Sequence, residues 1–470
     1  MPKINSKRKG SNFEREARDL LQERLDGKWK RVAGSGALGA VLEEPLLQGD
    51  IVGKVDSFPK TFRLDAKVGY GGAKQLTIQK EWLDKIRREA EATYSIPGLI
   101  CKFSGAREGV RYFVVLDFDT FVDIILNSEN LREDLDRFEK NLADYTGAKY
   151  AVGVNSGTDA LMLSHEVLGI GRGDEVICVS HTFIAPFQET VHVGGTPILI
   201  DIKEDDCVMD VSQIEPAITE KTKAILPVHL SGVVCDMKEI LRIAQKHNLK
   251  VIEDACQALG SKQDGKMAGT FGDTGCFSFI SPKLLGCYGD AGAVVTNNKD
   301  IYEKLLLLRN HWNITQNALL GVQLPHPEIM GWGHNTRLDN IQAAVLNVKI
   351  KYIDWIINRR KEIAEKYLVA FKDLPMGLPS RRDGETWQEF IVRPQNREDF
   401  RDYMQNEAGV ELLIRDTTPN HKLKGLGLDH FNLPVTEKLA TEQARLPIYP
   451  ELTDEEVNHV IESVKKFYST

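Results

Sequence analysis

The chain has 470 residues, of which 42% are hydrophobic, enough for about two to four structural units with sizeable buried cores. It contains no apolar run of about 18 residues, and its basic start, MPKINSK, lacks the apolar stretch of a secretory signal. These features argue against a membrane-spanning or secreted protein. The seven cysteines are dispersed without a CxxC pair, so they predict neither a zinc site nor a disulfide framework and fit a reducing cytoplasm.

The net charge of −8 is unevenly distributed along the chain. Residues 1–124 carry 22 Lys and Arg against 18 Asp and Glu, a net charge of +4, which leaves −12 for the remainder. Such a division favours two modules with different partners. Charge alone, however, favours the simpler interpretation of a solvated basic tail.

The first 124 residues predict a compact α/β unit. Apolar residues at helical spacing predict a helix over 11–25, and a glycine-rich turn follows at 34–36. We expect strands at 49–55 and 61–68, a helix at 78–92, and strands at 99–102 and 112–116.

From residue 130 onwards, short apolar runs alternate with helical patterns. Alternation of this kind predicts a mostly parallel, doubly wound sheet. One of the helices spans 236–247, and a long helix near 338–368 leads into a smaller C-terminal α/β part. We therefore predict domains at 1–124, 125–370 and 371–470. The strand-like runs lie at 151–154, 175–179, 196–200, 224–228, 251–252, 276–279 and 293–296.

Three segments in this second part carry residues suited to a pyridoxal phosphate (PLP) site. The segment 276–296 presents Lys283 after a strand that ends near Ser278, and only an amine forms an imine with the aldehyde of PLP. Asp254 follows an apolar run and can keep a pyridine nitrogen protonated. The turn NSGTDAL at 155–161 offers backbone amides to a phosphate. Each segment alone also fits an ordinary surface lysine, helix cap or turn; their order and spacing favour the cofactor site.

Residues 130–468 resemble the DegT/DnrJ/StrS-type PLP-dependent sugar aminotransferases. The resemblance implies the PLP-dependent transferase fold of type I, a mostly parallel sheet in an α/β/α sandwich with a small C-terminal α/β part. It is carried by a series of motifs in family order: NSGTDAL at 155–161, GDEVI at 173–177, VHLSG at 228–232, EDACQA at 253–258, the Lys283 segment, GHNTRLDNIQAA at 333–344 and LPIYP at 446–450.

The same resemblance implies roles for individual residues. Lys283 becomes the Schiff-base lysine and proton shuttle, and Asp254 the partner of the pyridine nitrogen. A dehydratase branch has His in place of this lysine, so Lys283 favours transamination from an L-amino acid, glutamate, to a keto-sugar nucleotide. The other implied ligands are Gly157, Thr158 and Ser278 at the phosphate, Phe183 on the ring, Gln257 near the phenolic oxygen, and Asn335 at the phosphate of the partner subunit in a homodimer.

The N-terminal unit carries a second group of candidate residues. Asp65 and Lys67 are two residues apart on a predicted strand, so they share one strand face, and Asp50 stands on the neighbouring strand. Carboxylates in this arrangement can bind Mg²⁺ while the lysine orients a water molecule. Glu14 lies on the first predicted helix. An Asp-x-Lys pair is also common on solvated strand faces.

Together with the basic start and the 31–36 segment, these residues resemble a PD-(D/E)XK nuclease of the Holliday-junction-resolvase-like type over residues 4–120. The resemblance implies Mg²⁺ ligation by Asp50 and Asp65, support from Glu14, catalysis with Lys67, and DNA as a partner. A DNA-binding relic and an unrelated α/β module remain open. For the whole chain, the alternative is a DNA-processing nuclease whose aminotransferase-like part is a dimerisation scaffold.

Overall fold

The structure is a computed structural model of the chain. It describes residues 133–313, 329, 331–380, 383–415 and 417–469, together with the backbone of five strands before them. The chain divides into two compact units, Met1–Leu131 and Arg132–Thr470. Among the helices of these described ranges, none is long and apolar enough to span a membrane.

The first unit contains a five-stranded sheet in the order β1-β2-β3-β4-β5. β3 and β4 are parallel, and the other neighbours are antiparallel. Strands are thus confirmed near 49–55, 61–68, 99–102 and 112–116, whereas the helices predicted at 11–25 and 78–92 lie outside the described residues. The strands are β1 (Lys28–Arg31), β2 (Ile51–Lys54), β3 (Phe62–Gly69), β4 (Ile96–Phe103) and β5 (Tyr112–Val115).

The described part of the second unit alternates helices and strands. Its helices are α1 (Glu133–Thr146), α2 (Gly157–Val167), α3 (Ala185–His192), α4 (Ile214–Ala217), α5 (Met237–His247), α6 (Lys299–Leu308), α7 (Asn340–Lys349), α8 (Ile353–Phe371), α9 (Arg397–Asp402), α10 (Pro434–Glu442) and α11 (Asp454–Phe467). Its strands are β6 (Tyr150–Val154), β7 (Glu175–Val179), β8 (Thr196–Ile200), β9 (Thr222–Ile225), β10 (Lys250–Asp254), β11 (Lys262–Gln263), β12 (Lys266–Met267), β13 (Thr274–Ser278), β14 (Gly292–Thr296), β15 (Met376–Gly377), β16 (Phe390–Pro394) and β17 (Ala444–Leu446).

Seven of these strands form one sheet in the order β6-β14-β13-β10-β9-β7-β8. β14 is antiparallel to both of its neighbours, and the other pairs are parallel. Most strand residues are buried, as expected for a sheet covered on both faces. The predicted mostly parallel sheet is confirmed. Its parallel strands end at one edge, where ligands bind in open α/β sheets.

The prediction of one long helix at 338–368 is wrong in one respect. Two helices, α7 and α8, occupy this stretch, and the 3₁₀ turn Ile350–Tyr352 joins them. Helical spacing of apolar residues continues through the turn, and a turn of this kind leaves that pattern nearly unchanged. Periodicity therefore did not locate the break.

A second hydrophobic core lies in the C-terminal part of this unit, called the small lobe below (residues 363–469). It is built on four fully buried aromatic residues of α8, β16 and α9, namely Tyr367, Phe371, Phe390 and Phe400. The antiparallel sheet β15-β16-β17 contributes to the same core. The larger core belongs mainly to the seven-stranded sheet and its helices.

Phe138 and Glu139 of α1 anchor the edge strand β6. Phe138 packs edge-to-face on Phe279, with ring centroids 5.3 Å apart. Glu139 accepts a 2.7 Å hydrogen bond from the Gly153 amide and pairs with buried Arg309, which also donates to the Gly153 carbonyl at 2.8 Å. Because both charges are paired and hydrogen-bonded, this buried ion pair fixes β6 where it leads into α2.

Candidate active site

The turn between β6 and α2 presents backbone amides to a cavity at the edge of the sheet. Ser156 caps α2, its hydroxyl accepting a 3.0 Å hydrogen bond from the Asp159 amide. A Cβ on Gly157 would lie only 2.7 Å from Cβ of Ser278, so glycine is required for this close approach. The amides of Gly157 and Thr158 begin the helix and have no intrahelical acceptor. The helix start therefore suits an anion such as a phosphate.

Asp254 lies at the end of β10 and lines the same cavity. It is 5% exposed, and its Oδ1 accepts a 3.0 Å hydrogen bond from the Cys256 amide. Its backbone is fixed by hydrogen bonds with Pro227 and with the His229 amide, at 2.9 and 3.0 Å. A carboxylate fixed in this way at a strand end can hold a protonated ring nitrogen.

The neighbouring carboxylate, Glu253, points into the protein interior and organises the strand end. It is fully buried and accepts three hydrogen bonds of 2.6–2.8 Å from amides in the turn 269–272. His229 Nε2 lies 2.9 Å from its Oε2, and the Cys235 amide donates to His229 Nδ1 at 3.2 Å. Because Nδ1 accepts that bond, the ring proton lies on Nε2 and is donated to Glu253. Glu253 and His229 belong to the sequence motifs at 253–258 and 228–232, but the resemblance implied no role for either.

Lys283 lies in a tight turn after β13. Its amide donates to the Ile280 carbonyl at 2.9 Å. The Gln388 side chain clamps the turn on both sides, accepting from the Leu284 amide and donating to the Pro282 carbonyl, each at 3.0 Å. Within the described residues, Nζ of Lys283 makes no hydrogen bond or ion pair, so its amine is available to a ligand. No sequence signal pointed to Gln388, which comes from the small lobe.

One cavity of 320 Å³ brings most of the predicted residues together. Its volume is in the usual range for small-molecule sites. Phe183 is 67% exposed, although aromatic rings are usually covered, so its face is free to stack on a planar ligand. Gln257 is held by a 2.9 Å hydrogen bond from the Ser231 amide to its Oε1. The predicted residues that line the cavity are Gly157, Thr158, Phe183, Asp254, Gln257, Ser278 and Lys283.

The loop that presents Phe183 is attached to the small lobe. The Asn420 amide group donates to the carbonyls of Ser180 and Thr182, at 3.0 and 2.7 Å. His421, fully buried, has its Nδ1 2.8 Å from the Ser180 hydroxyl. These bonds fix the backbone that leads into Phe183, and sequence reasoning did not identify them.

Asn335 is the one predicted cofactor ligand that does not line the cavity. It is exposed and forms an isolated β-bridge with Asn310. It does not cap α7, because the residue at the N-cap of that helix is Asp339. Its position agrees with a ligand that acts outside its own subunit, and this role stays a prediction.

The nuclease candidates fall on the first unit. Asp65 and Lys67 both lie in β3, opposite Leu99 and Cys101 of β4. Glu14 and Asp50 lie outside the described residues. Where side chains are described, no group of three or more His, Cys, Asp or Glu residues is placed to hold a metal ion.

Two family models match the chain, and they overlap at residues 120–151. The phage PDDEXK endonuclease family matches residues 5–151, which confirms the resemblance seen in the N-terminal unit. The DegT/DnrJ/EryC1/StrS aminotransferase family matches residues 120–465.

Individual relatives agree with the second match. A dTDP-3-amino-3,6-dideoxy-alpha-D-galactopyranose transaminase from Aneurinibacillus thermoaerophilus is 40% identical over 71% of this chain and 90% of its own. A dTDP-3-amino-3,4,6-trideoxy-alpha-D-glucose transaminase from Micromonospora megalomicea is 36% identical over 72% of this chain and 90% of its own. The crystal structure of NtdA from Bacillus subtilis with bound cofactor PMP superposes with a TM-score of 0.67 and 32% identity, covering 72% of this chain and 77% of that one. The chain therefore belongs to the DegT/DnrJ/EryC1/StrS aminotransferase family.

Proposed function

We propose that the second unit is a PLP-dependent aminotransferase that moves the amino group of an L-amino acid, glutamate, to a keto-sugar nucleotide. One observation carries the proposal: a single cavity is lined by the amine of Lys283, the carboxylate of Asp254 and the start of α2. The names of the relatives, transaminases of dTDP-linked amino sugars, support a nucleotide-sugar substrate. We place domain boundaries near residues 124 and 370 and the reaction in the cytoplasm.

The residues of the chain fit this cofactor. Bound PLP supplies an electron sink for the carbanion formed at the amino-acid α-carbon. The Asp254 carboxylate would keep the pyridine nitrogen protonated, and the Lys283 amine would take up the α-proton of the amino donor and serve as the proton donor in turn. Phe183 would cover one ring face. The amides of Gly157 and Thr158 would hold the phosphate together with the Ser278 hydroxyl, and Gln257 would lie near the phenolic oxygen.

Homodimerisation completes the proposed site. In a two-fold dimer, Asn335 would reach the cofactor phosphate of the partner subunit. The surface that follows it in sequence supports self-association, because large exposed apolar side chains recur along α7, the 3₁₀ turn after it and the start of α8. These residues are Ile341 (46% exposed), Val348 (58%), Tyr352 (53%) and Trp355 (57%).

An absorbance spectrum tests the aminotransferase proposal. We expect the purified protein with PLP to show a visible band, and L-glutamate to remove that band while 2-oxoglutarate is released. Lys283→Ala should lose the band, whereas Lys299→Ala, which changes an exposed surface lysine, should keep it. Asp254→Asn should bind PLP and turn over about 10²-fold more slowly or worse. A wild-type protein that stays colourless with PLP would contradict the proposal and favour the scaffold alternative.

We further propose that the first unit cuts branched DNA with Mg²⁺, on the support of the phage PDDEXK endonuclease match at 5–151. Asp50 and Asp65 would bind the metal with support from Glu14, and Lys67 would orient the attacking water. Nicking of a branched DNA substrate should require Mg²⁺ or Mn²⁺ and stop in Asp65→Ala. Binding without Mg²⁺-dependent nicking would instead identify a DNA-binding relic.

The two modules provide controls for each other. Asp65→Ala should retain the visible band of the PLP-loaded protein, and Lys283→Ala should retain metal-dependent nicking. If Asp65→Ala cuts as well as wild type, the nuclease activity does not come from this site.

A further inference from the structure

Lys283 belongs to a closed loop between β13 and β14, called the lysine loop below (residues 280–291). Its two ends are joined, because the Phe279 amide donates to the Ala291 carbonyl at 2.7 Å. The Cys287 amide donates to the Phe279 carbonyl at the same distance and ties the middle of the loop to its base. A displacement of this closed loop therefore displaces Lys283 against the cofactor cavity that it lines.

Two side chains of α7 hold the far side of the lysine loop. Gln342 makes both backbone hydrogen bonds to Tyr288: its Oε1 accepts from the amide at 2.9 Å, and its Nε2 donates to the carbonyl at 3.3 Å. Lys349 donates to the Gly286 carbonyl, and its Nζ lies 5.1 Å from the centre of the Tyr288 ring. Positions 342 and 349 are about two helical turns apart, so they share one face of α7.

Helix α7 is itself fixed from another side, by α1. The Asn347 side chain donates to the Asp134 carbonyl and accepts from Asn141 Nδ2, each at 2.9 Å. Ala343 and Leu346 of α7 are fully buried in the large core. Because packing and hydrogen bonds both hold the helix, α7 is a rigid support for the loop that it contacts.

The lysine loop is thus held from two sides, by Gln388 of the small lobe and by Gln342 and Lys349 of α7. The Tyr288 side chain is 76% exposed, so burial contributes little to the position of the far side of the loop. The polar contacts from α7 fix that position instead.

Gln342 and Lys349 lie outside the cofactor cavity, since neither side chain is among the residues that line it. They do not touch a ligand in that cavity, and their influence on it passes through the lysine loop. A proton transfer needs the Lys283 amine within hydrogen-bonding distance of the proton that it takes up. A displacement of about 1 Å caused by a distant substitution can slow such a step about 10²-fold.

We infer that Gln342 and Lys349 are positioning residues for the proton transfer by Lys283, acting through the lysine loop. This inference rests on the proposed function, in which Lys283 is the Schiff-base lysine. Removing either contact leaves the cavity-lining side chains unchanged but releases the far side of the loop. The amine of Lys283 then spends less time in the reactive position, and the rate of the proton transfer falls.

Single-turnover kinetics of the full-length, PLP-loaded protein test the inference. The rate constant for loss of the visible band is measured at saturating L-glutamate, at a protein concentration where wild type and variants sediment alike. Gln342→Ala and Lys349→Met should each lower this rate constant about tenfold or more. Lys349→Arg keeps the cation and its donors and should restore most of the rate. Partial unfolding would lower the amplitude of the band instead of the rate constant.

Hydrogen exchange of the PLP-free protein gives a second readout that does not depend on activity. Peptides that cover residues 283–291 should exchange about fivefold faster in Gln342→Ala, because the Tyr288 amide loses its acceptor. The matched control is Gln245→Ala, which removes an exposed glutamine side chain from α5 and should change neither readout.

The two readouts separate the possible failures. Unchanged exchange of the lysine loop in Gln342→Ala would overturn the inference, and so would faster exchange with an unchanged rate constant, which would show a purely structural contact. A wild-type protein that forms no visible band with PLP would contradict the proposed function itself.

Discussion

The carboxylate of Glu253 provides a quantitative test of how the strand end beside the cofactor cavity is held. It accepts four hydrogen bonds, from three amides of the turn 269–272 and from His229 Nε2. Glu253→Gln keeps the shape but offers only one acceptor oxygen. Each carboxylate oxygen accepts two of the four bonds, so in either orientation the new NH₂ group faces two donors.

The free-energy cost of Glu253→Gln follows from the loss of these two hydrogen bonds at a fully buried position. Each unsatisfied buried donor costs about 1–3 kcal/mol, so the two together cost about 2–6 kcal/mol. We therefore expect local opening of the turn to become easier by about 2–6 kcal/mol, which corresponds to a fall in amide protection of about thirtyfold or more. Because Asp254 is the next residue, PLP affinity should fall as well.

Hydrogen exchange followed by mass spectrometry measures this directly in peptides that cover residues 266–273. The matched control is Glu166→Gln, which breaks another Glu–His pair with the same 2.9 Å distance from Nε2, but with side chains that are 28% and 36% exposed. It should change stability by no more than about 0.5 kcal/mol. A change in protection of less than about threefold in Glu253→Gln would refute the reasoning.

Three further predictions follow from other parts of the second unit. Gly157→Ala should weaken PLP binding by about tenfold or more, because its Cβ would lie 2.7 Å from the Ser278 Cβ; Gly171→Ala, with its nearest atom at 3.7 Å, should not. Burial lowers the pKa of His165 from 6.5 to about 4, so as the pH is lowered the unfolded chain binds a proton before the folded protein does. The free energy of unfolding, measured with urea, should therefore decrease as the pH falls from 6.5 to 4, and it should decrease less steeply in His165→Gln. In sedimentation with and without PLP, Asn335→Ala should show a weaker PLP-induced dimer, and a monomer that binds PLP as tightly as the dimer would argue against a shared site.

The sequence by itself determined the features that depend on neighbouring residues. Apolar runs of about five residues located the strands of the large sheet, because a strand buried on both faces needs an apolar side chain at nearly every position. Gly157, Asp254 and Lys283 were identifiable as candidates because each stands at or within a few residues of the end of a strand, and parallel strands deliver their ends to one edge. The 3₁₀ turn at 350–352 could not be located from the sequence, because the apolar pattern continues through it without a break.

Only the tertiary structure decided which distant side chains complete the site. Gln388 clamps the Lys283 turn from about a hundred residues away, and Asn420 and His421 hold the Phe183 loop from more than two hundred. Neither contact has a local pattern, because a hydrogen bond between two lobes depends on how they pack and not on spacing along the chain. The ion pairs of Glu389 also depend on the tertiary structure. The fold brings Arg415 and Arg445, which come from separate segments, to this one buried carboxylate.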